Sequence, residues 1–177
     1  MSDASGPIWL VSGVPGSGKT TVARAICARF RRAVHIPVDD LRDLVVSGFV
    51  SPLVGESTAE MPLQFRLARQ SAASMAVLYA EEGFAVVIDD VVPSKDVAPH
   101  YERYLAAHGL RRIALVPSLE TALARNRQRT TKPFDTNVLE KTIRHLHGTL
   151  FADPNGWLML DTSQLSVEET VRRILEG

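Results

Sequence analysis

The sequence predicts a doubly wound α/β domain, with a five-stranded parallel sheet and helices on both faces. Three observations carry this. Apolar runs of four or five residues, rich in Val, Ile and Leu, fall at 8–11, 34–38, 85–88, 113–116 and 157–160. Runs this short and uniform suit strands buried on both faces of a parallel sheet. Longer stretches of mixed polarity separate them, and a glycine-rich run directly follows the first. Strand and helix in alternation argue for parallel crossover units.

The elements follow in order. After the strand at 8–11 a helix is expected over 19–31, then the strand at 34–38. Segment 47–62, with two prolines and two glycines, reads as a loop, part of an acceptor-side insertion at 44–62. A helix over 63–82 ends at Gly83, a natural residue for the turn beyond a helix. The strand at 85–88 leads to a helix over 95–107, closed by Gly109. After the strand at 113–116, Ser118 caps a helix over 119–127. A helix over 136–150 precedes the last strand. Ser166, with Glu169 three residues on, forms a capping box for a final helix over 167–175.

The chain has 177 residues, enough for one domain with one sizeable core. Twenty basic residues balance twenty acidic ones. A neutral total gives no global attraction to nucleic acid or to an anionic membrane. Cys27 is the single cysteine, which rules out an internal disulfide, and its place in an apolar helical pattern reads as core. Met1 to Gly6 lacks a basic start followed by an apolar stretch, and no apolar run approaches membrane-spanning length. A soluble cytoplasmic protein is the expectation.

Gly13-Val14-Pro15-Gly16-Ser17-Gly18-Lys19-Thr20 fits G-x-x-x-x-G-K-[ST], and it lies between a strand and a helix, the context that pattern requires. Glycines let successive backbone N–H groups converge on one anion, and the helix adds its positive end. Lys19 reaches β- and γ-phosphates. Thr20 offers a hydroxyl to Mg²⁺, and Thr21 follows in the same turn. ATP and Mg²⁺ are the implied cofactors.

Two acids, Asp39 and Asp40, close the second strand. Ligands of doubly wound sheets lie at the carboxyl ends of strands. A carboxylate there can take the proton of a hydroxyl and aim its oxygen at the γ-phosphorus. Asp39 is the first choice for that base and Asp40 the second, with Asp90 also on the acceptor side. Helix capping is the plainer role for such acids, and both roles can hold at once. The third strand runs into Asp89-Asp90, an arrangement that orients Mg²⁺ or its water shell; Asp89 is the first choice.

Arg125 and Arg129 lie one helical turn apart. Between Arg103 and Arg144 nine basic residues face three acidic ones, a net +6 in a neutral chain. The window reads as a lid at about 125–135 closing over nucleotide phosphates. Asp161-Thr162-Ser163 either borders the nucleotide base or forms a turn. His145 and His147, two apart, do not share a helix face and suggest no metal site. Trp157 and the apolar face over 61–80 read as core.

At these residues the chain resembles the small P-loop kinases of the chloramphenicol phosphotransferase and polynucleotide kinase type. VDDLRD at 38–43 resembles the segment carrying the catalytic aspartate in both. VVIDDV at 86–91 is similar to the third strand of the former, and RNRQRTTKP at 125–133 to the lid segment of the latter. The resemblance implies a P-loop NTPase fold with a helical lid. It makes Asp39 the general base, Lys19 and Thr20 the phosphate and Mg²⁺ ligands, and Arg129 the lid arginine, and it places Arg42 beside the acceptor. The expected activity is ATP-dependent phosphorylation of a hydroxyl on a small molecule. A 5′-hydroxyl polynucleotide kinase is the alternative, and a nucleotide-binding switch or ATPase without an acceptor is the third reading.

Overall fold

The computed structural model describes residues 5–51, 59–128 and 136–177. Five parallel strands, β1 (Ile8–Ser12), β2 (Ala33–Pro37), β3 (Ala85–Asp90), β4 (Arg111–Leu115) and β5 (Trp157–Leu160), form one sheet in the order β2-β3-β1-β4-β5. β1 pairs with β3 on one side, Ile8 opposite Val86, and with β4 on the other, Trp9 opposite Arg111. All five residues of β1 and all six of β3 are buried.

Side-chain alternation divides the core into two layers. Ile8, Leu10, Ile36, Val86 and Ile88 meet α3 (Glu60–Glu81), while Trp9, Val11, Ala85, Val87 and Ile113 meet α1 (Lys19–Cys27) and α8 (Val167–Glu176). α3 approaches through Ala68, Ala72, Ala73, Ala76 and Ala80, whose small side chains let it lie close to the sheet. Burial of each large aliphatic side chain in these layers stabilises the fold by about 1.5–3 kcal/mol. A third cluster joins Val14 to α6 (Leu119–Arg127) and α7 (Glu140–Thr149), seating the glycine-rich loop on these helices.

The strands fall where the apolar runs predict, with informative differences at their ends. β2 stops at Pro37, and Val38 already belongs to a short helix, α2 (Val38–Asp43). β3 runs two residues further than expected and takes Asp89 and Asp90 into the sheet. α1 ends at Cys27, short of 31. α3 begins at Glu60, so Pro62 stands in its first turn, where a missing N–H costs no helical bond. The helix expected over 95–107 is broken into α4 (Ser94–Val97), a π-helical turn at Ala98–Glu102, α5 (Arg103–Leu105) and a 3₁₀ turn at Ala106–His108. Pro99 cannot donate to the carbonyl of Lys95, which removes one α-helical bond where the widening starts. A 3₁₀ turn at Thr136–Leu139 leads into α7. The caps form as expected: Ser118 accepts from Thr121 N, and Ser166 and Glu169 complete the capping box. Gly83 and Gly109 hold φ values of +76° and +65° beyond their helices.

Candidate active site

The glycine-rich loop leaves β1 at the sheet centre and turns into α1. Gly18 caps α1 at φ +93°, which disfavours any residue with a Cβ. Gly16, at φ +83°, packs so closely on α6 that a Cβ would collide with the Ala122 carbonyl. Val22 N donates to Gly18 O at 2.9 Å, so the first intrahelical bond begins there. Helix geometry leaves the N–H groups of the first turn without intrahelical acceptors. No side chain caps this end, and no acid stands in its first turn. Its donors and positive end are therefore suited to an anion.

The loop opens on a cleft of about 730 Å³. One wall carries Gly16, Gly18, Lys19, Thr20, Thr21 and Arg24 from the loop and α1, with Arg125 and Gln128 at the end of α6. The other carries Pro37, Asp39 and Asp40, and Asp89 and Asp90 form the floor. Asp39 and Asp40 both stand in the first turn of α2, capped by Pro37 without a side-chain bond. The expected strand-end acids are thus helical, a position that favours carboxylates.

Strand alternation separates the two floor acids. Asp89 shares its face with Val87, toward α1. Burial opposes its charge, but the close approach of His35, the Thr20 hydroxyl and the Lys19 ammonium outweigh burial and hold the carboxyl below its ordinary range. His35 Nε2 is 3.4 Å from Asp89 Oδ2. Asp90 shares its face with Val86 and Ile88, toward α3. Arg69 Nε donates to its Oδ2 at 2.8 Å and the Tyr101 hydroxyl at 2.9 Å. Burial pushes the Asp90 carboxyl up; Arg69 and the Tyr101 hydroxyl oppose this without reversing it. Burial and Asp90 together drive the Tyr101 hydroxyl well above its ordinary value.

Arg42, expected beside the acceptor, turns inward. It is 4% exposed. Its guanidinium lies 3.8 Å from the centre of the Phe65 ring, and Nη2 donates to Val50 O at 3.1 Å. Burial lowers its pKa, opposed by Asp39 and Asp43. The other side of this cluster is Arg69, 5.2 Å from the same ring, with Nη2 donating to Val91 O at 3.1 Å. Gln64 ties the chain after α2 to α3, donating to Gly48 O at 2.8 Å and accepting from Val50 N at 3.0 Å. Phe65, Arg69, Tyr101, Gln64 and His35 escape sequence reading. One signal pointed to them: Arg69 interrupts the small, apolar stripe of α3.

The basic window is not one patch. Arg111 and Arg112 start β4, at the end of the sheet away from the cleft, where Arg112 pairs with Glu102 at 2.6 Å. Arg127 pairs with Glu140 at 2.6 Å. Arg125 lines the cleft, its Nη2 donating to Thr162 O at 2.9 Å. Asp161 accepts from Ser163 N at 2.8 Å, making 161–163 a turn beside Arg125. Arg129 and residues 129–135 of the expected lid lie outside the described residues, as do 52–58 of the insertion. His147 lies 2.9 Å from Pro117 O. Trp157 is buried in the core. Among the described residues no helix is long and apolar enough to cross a membrane.

A parallel sheet in this order, with a glycine-rich loop between its central strand and a bare helix end, defines a P-loop NTPase fold. Residues 8–151 match the AAA domain family, and the chain belongs to it. No curated protein matches the chain. Among solved structures it is similar to a sugar kinase from Janibacter sp. HTCC2649, at 18% identity and TM-score 0.70, covering 97% of this chain and 93% of that one. It is also similar to the APS kinase of Mycobacterium tuberculosis solved with AMPPNP and APS, at 17% identity and TM-score 0.68, covering 98% and 99%. The tunicamycin resistance protein of Deinococcus radiodurans is similar at 17% identity and TM-score 0.64, covering 97% and 94%. At these identities the likeness is one of fold.

Proposed function

We propose that the chain is an ATP-dependent phosphotransferase that moves the γ-phosphoryl group to a hydroxyl of a small-molecule acceptor. The observation that carries this reading is the two-walled cleft: an uncapped helix end with Lys19 and Thr20 faces a pair of carboxylates, Asp39 and Asp40. The names of similar structures, a sugar kinase and an APS kinase, support it. So does the resemblance of 38–43 and 86–91 to small P-loop kinases.

In this reading the loop N–H groups, Lys19 and Arg125 hold the polyphosphate, with Arg129 the proposed lid arginine. Asp39, or Asp40 beside it, accepts the proton of the acceptor hydroxyl. The acceptor oxygen forms a bond to the γ-phosphorus, the bond from that phosphorus to the bridging β,γ-oxygen breaks, and ADP leaves. Thr20 and Asp89 are the donors that fit Mg²⁺: a hydroxyl and a carboxylate held ionised in a buried corner. When bound, the metal offsets the charge of the β- and γ-phosphates. A polynucleotide acceptor is the second reading, motivated by 125–133, and the dispersal of the basic window weighs against it.

The test uses γ-labelled ATP with Mg²⁺ and two acceptor sets, a 5′-hydroxyl oligonucleotide and a panel of hydroxylated small molecules. Label is expected on a panel member. Asp39→Asn is expected to keep ATP binding and lose about 10²–10⁴-fold in transfer, the usual contribution of a general base. Wild-type transfer in that variant removes Asp39 from the role. Label on the oligonucleotide with a steep salt dependence establishes the second reading. Free phosphate alone favours a switch or ATPase.

A further inference from the structure

We propose that the acceptor is a diol or an amino alcohol: one hydroxyl takes the phosphoryl group, and a neighbouring hydroxyl or amine donates to Asp90 Oδ1. Arg69 and Tyr101 are the positioning residues that hold Asp90 for this contact. This rests on the kinase reading above and adds the class of acceptor to it.

Asp90 ends β3 at the carboxyl edge of the sheet, where ligands of such folds bind. It stands in register with Ser12, the residue before the glycine-rich loop, and lines the floor of the cleft. Asp39 is near enough to bear on its charge. Donors from two other elements meet on one of its oxygens. Arg69 Nε, from α3, and the Tyr101 hydroxyl, from the π-helical turn, both reach Oδ2, at 2.8 Å and 2.9 Å. Among the described residues no hydrogen bond reaches Oδ1, and Oδ1 is the oxygen offered to the acceptor. Asp39 or Asp40 for the reacting hydroxyl, and Asp90 for its neighbour, suit a molecule with two adjacent donors.

Arg69 and Tyr101 act through the carboxylate and do not line the cleft themselves. Arg69 is 6% exposed; besides Asp90 it donates through Nη2 to Val91 O at 3.1 Å, and its Nη1 lies 3.7 Å from Asp96. Tyr101 is fully buried, its hydroxyl committed to Asp90. The chain beyond Asp90 is pinned as well. Val92 N donates to Ser12 Oγ at 3.2 Å, and Ser12 Oγ returns a bond to Val92 O at 3.4 Å. Asp90 is thus fixed relative to the glycine-rich loop by strand register, by Ser12 and by Arg69. The turn that supplies Tyr101 is a π-helical widening, a form that recurs at functional sites. A buried ion pair gives little stability over apolar residues of similar size. Here it sits in a layer that is otherwise apolar, near Ala68, Ala72, Val97 and Leu105, which points to a use beyond packing.

The test offers the full chain, γ-labelled ATP and Mg²⁺ to polyols, amino sugars and nucleosides, each beside its mono-deoxy counterparts, and to simple mono-alcohols. A polar metabolite extract widens the range. An acceptor is expected to exceed the deoxy compound lacking the donor next to its phosphorylated hydroxyl by about 10–100-fold in kcat/KM, the worth of one hydrogen bond to a charged group. In Asp90→Asn, which keeps the size of the side chain, that penalty is expected to shrink to about threefold or less, because the two losses remove one interaction. Tyr101→Phe is expected to raise KM for the acceptor about fivefold, the loss of one hydrogen bond, with KM for ATP unchanged and the penalty reduced. A purely structural role would lower the melting temperature of both variants and leave the penalty intact. A penalty equal to wild type in both variants, or a mono-alcohol used as well as a diol, overturns this inference and leaves the kinase reading standing. The deoxy series needs only the wild-type chain, so it decides the acceptor class even where a variant does not fold. Absence of any labelled organic phosphate overturns the kinase reading, and this inference falls with it.

Discussion

The two helices that begin at the cleft start in opposite ways. α1 starts at Gly18 with no acid in its first turn and Lys19 as its first residue. α2 starts after Pro37 with two acids in its first turn. One end leaves its N–H groups and positive dipole for a ligand; the other neutralises its own dipole and presents carboxylates. The support behind them differs as well. The donor half is made by one continuous segment turning between β1 and α1. The acceptor half is held from behind by Asp90, Arg69, Tyr101, Phe65 and Arg42, drawn from four elements. In the proposed reading, a local motif forms the half that binds a common donor, and long-range contacts form the half that is particular to an acceptor.

The largest expected effect breaks the donor half alone. Lys19→Ala removes an ammonium beside Asp89, at a side chain that is 8% exposed. Loss of a charge-stabilising donor of this kind costs about 10²–10³-fold in rate. Transfer is expected to fall by that factor, and the rise in melting temperature given by added nucleotide to shrink or vanish. The fold itself is expected to persist, because Lys19 is not part of either core layer. An unchanged nucleotide response would separate Lys19 from the donor site.

The acceptor half is expected to fail through stability instead. Arg69→Met leaves Asp90 as a buried carboxylate without its counter-charge, a loss of about 3–5 kcal/mol. The deficit depends on pH, with a definite sign. Burial already pushes the Asp90 carboxyl above its ordinary value, and Arg69 is what opposes it. In the variant the folded-state pKa lies further above the unfolded one. The folded form then holds the proton more tightly, so stability is retained at low pH and lost as pH rises through the folded value. Denaturant melts at pH 4.5 and 7.5 check this: the gap to wild type is expected to be smaller at 4.5. A gap that is equal at both values, or larger at 4.5, contradicts the pairing.

The same contrast explains what could be read from sequence. The P-loop is legible because eight consecutive residues carry its whole chemistry, and the strands because burial on both faces leaves uniform apolar runs. α2 was not legible: six residues give too little periodicity, and Val38 reads as the end of a strand. Arg42 and Asp90 carry the residue types of an acceptor site, but their contacts are set by partners elsewhere in the chain, Phe65 on α3, and Arg69 and Tyr101. The alternation along Val86-Val87-Ile88-Asp89-Asp90 contains the answer for the floor, since adjacent strand residues face opposite layers. What it lacks is which layer holds α1, and only the crossover order supplies that. The lid differs again: Arg127 lies one turn from Leu123, yet pairs with Glu140 on α7, a partner thirteen residues away.

The smallest expected effect sharpens the comparison. Phe65 lies between Arg42 and Arg69, 3.8 Å and 5.2 Å from their guanidiniums. Phe65→Leu keeps an apolar side chain and removes the aromatic face. Cation–π contact at a partly desolvated site is worth about 1 kcal/mol, so the melting temperature is expected to fall by about 2–4 °C. Since Arg42 shares α2 with Asp39, its displacement shifts the acceptor wall and not the donor wall. KM for the acceptor identified by the transfer panel is then expected to rise about fivefold, with KM for ATP unchanged. Phe65→Tyr, which restores the ring, recovers both. An equal rise in the two KM values would mean that Phe65 supports the whole cleft, and the division into a locally coded donor half and a long-range acceptor half would have to be redrawn.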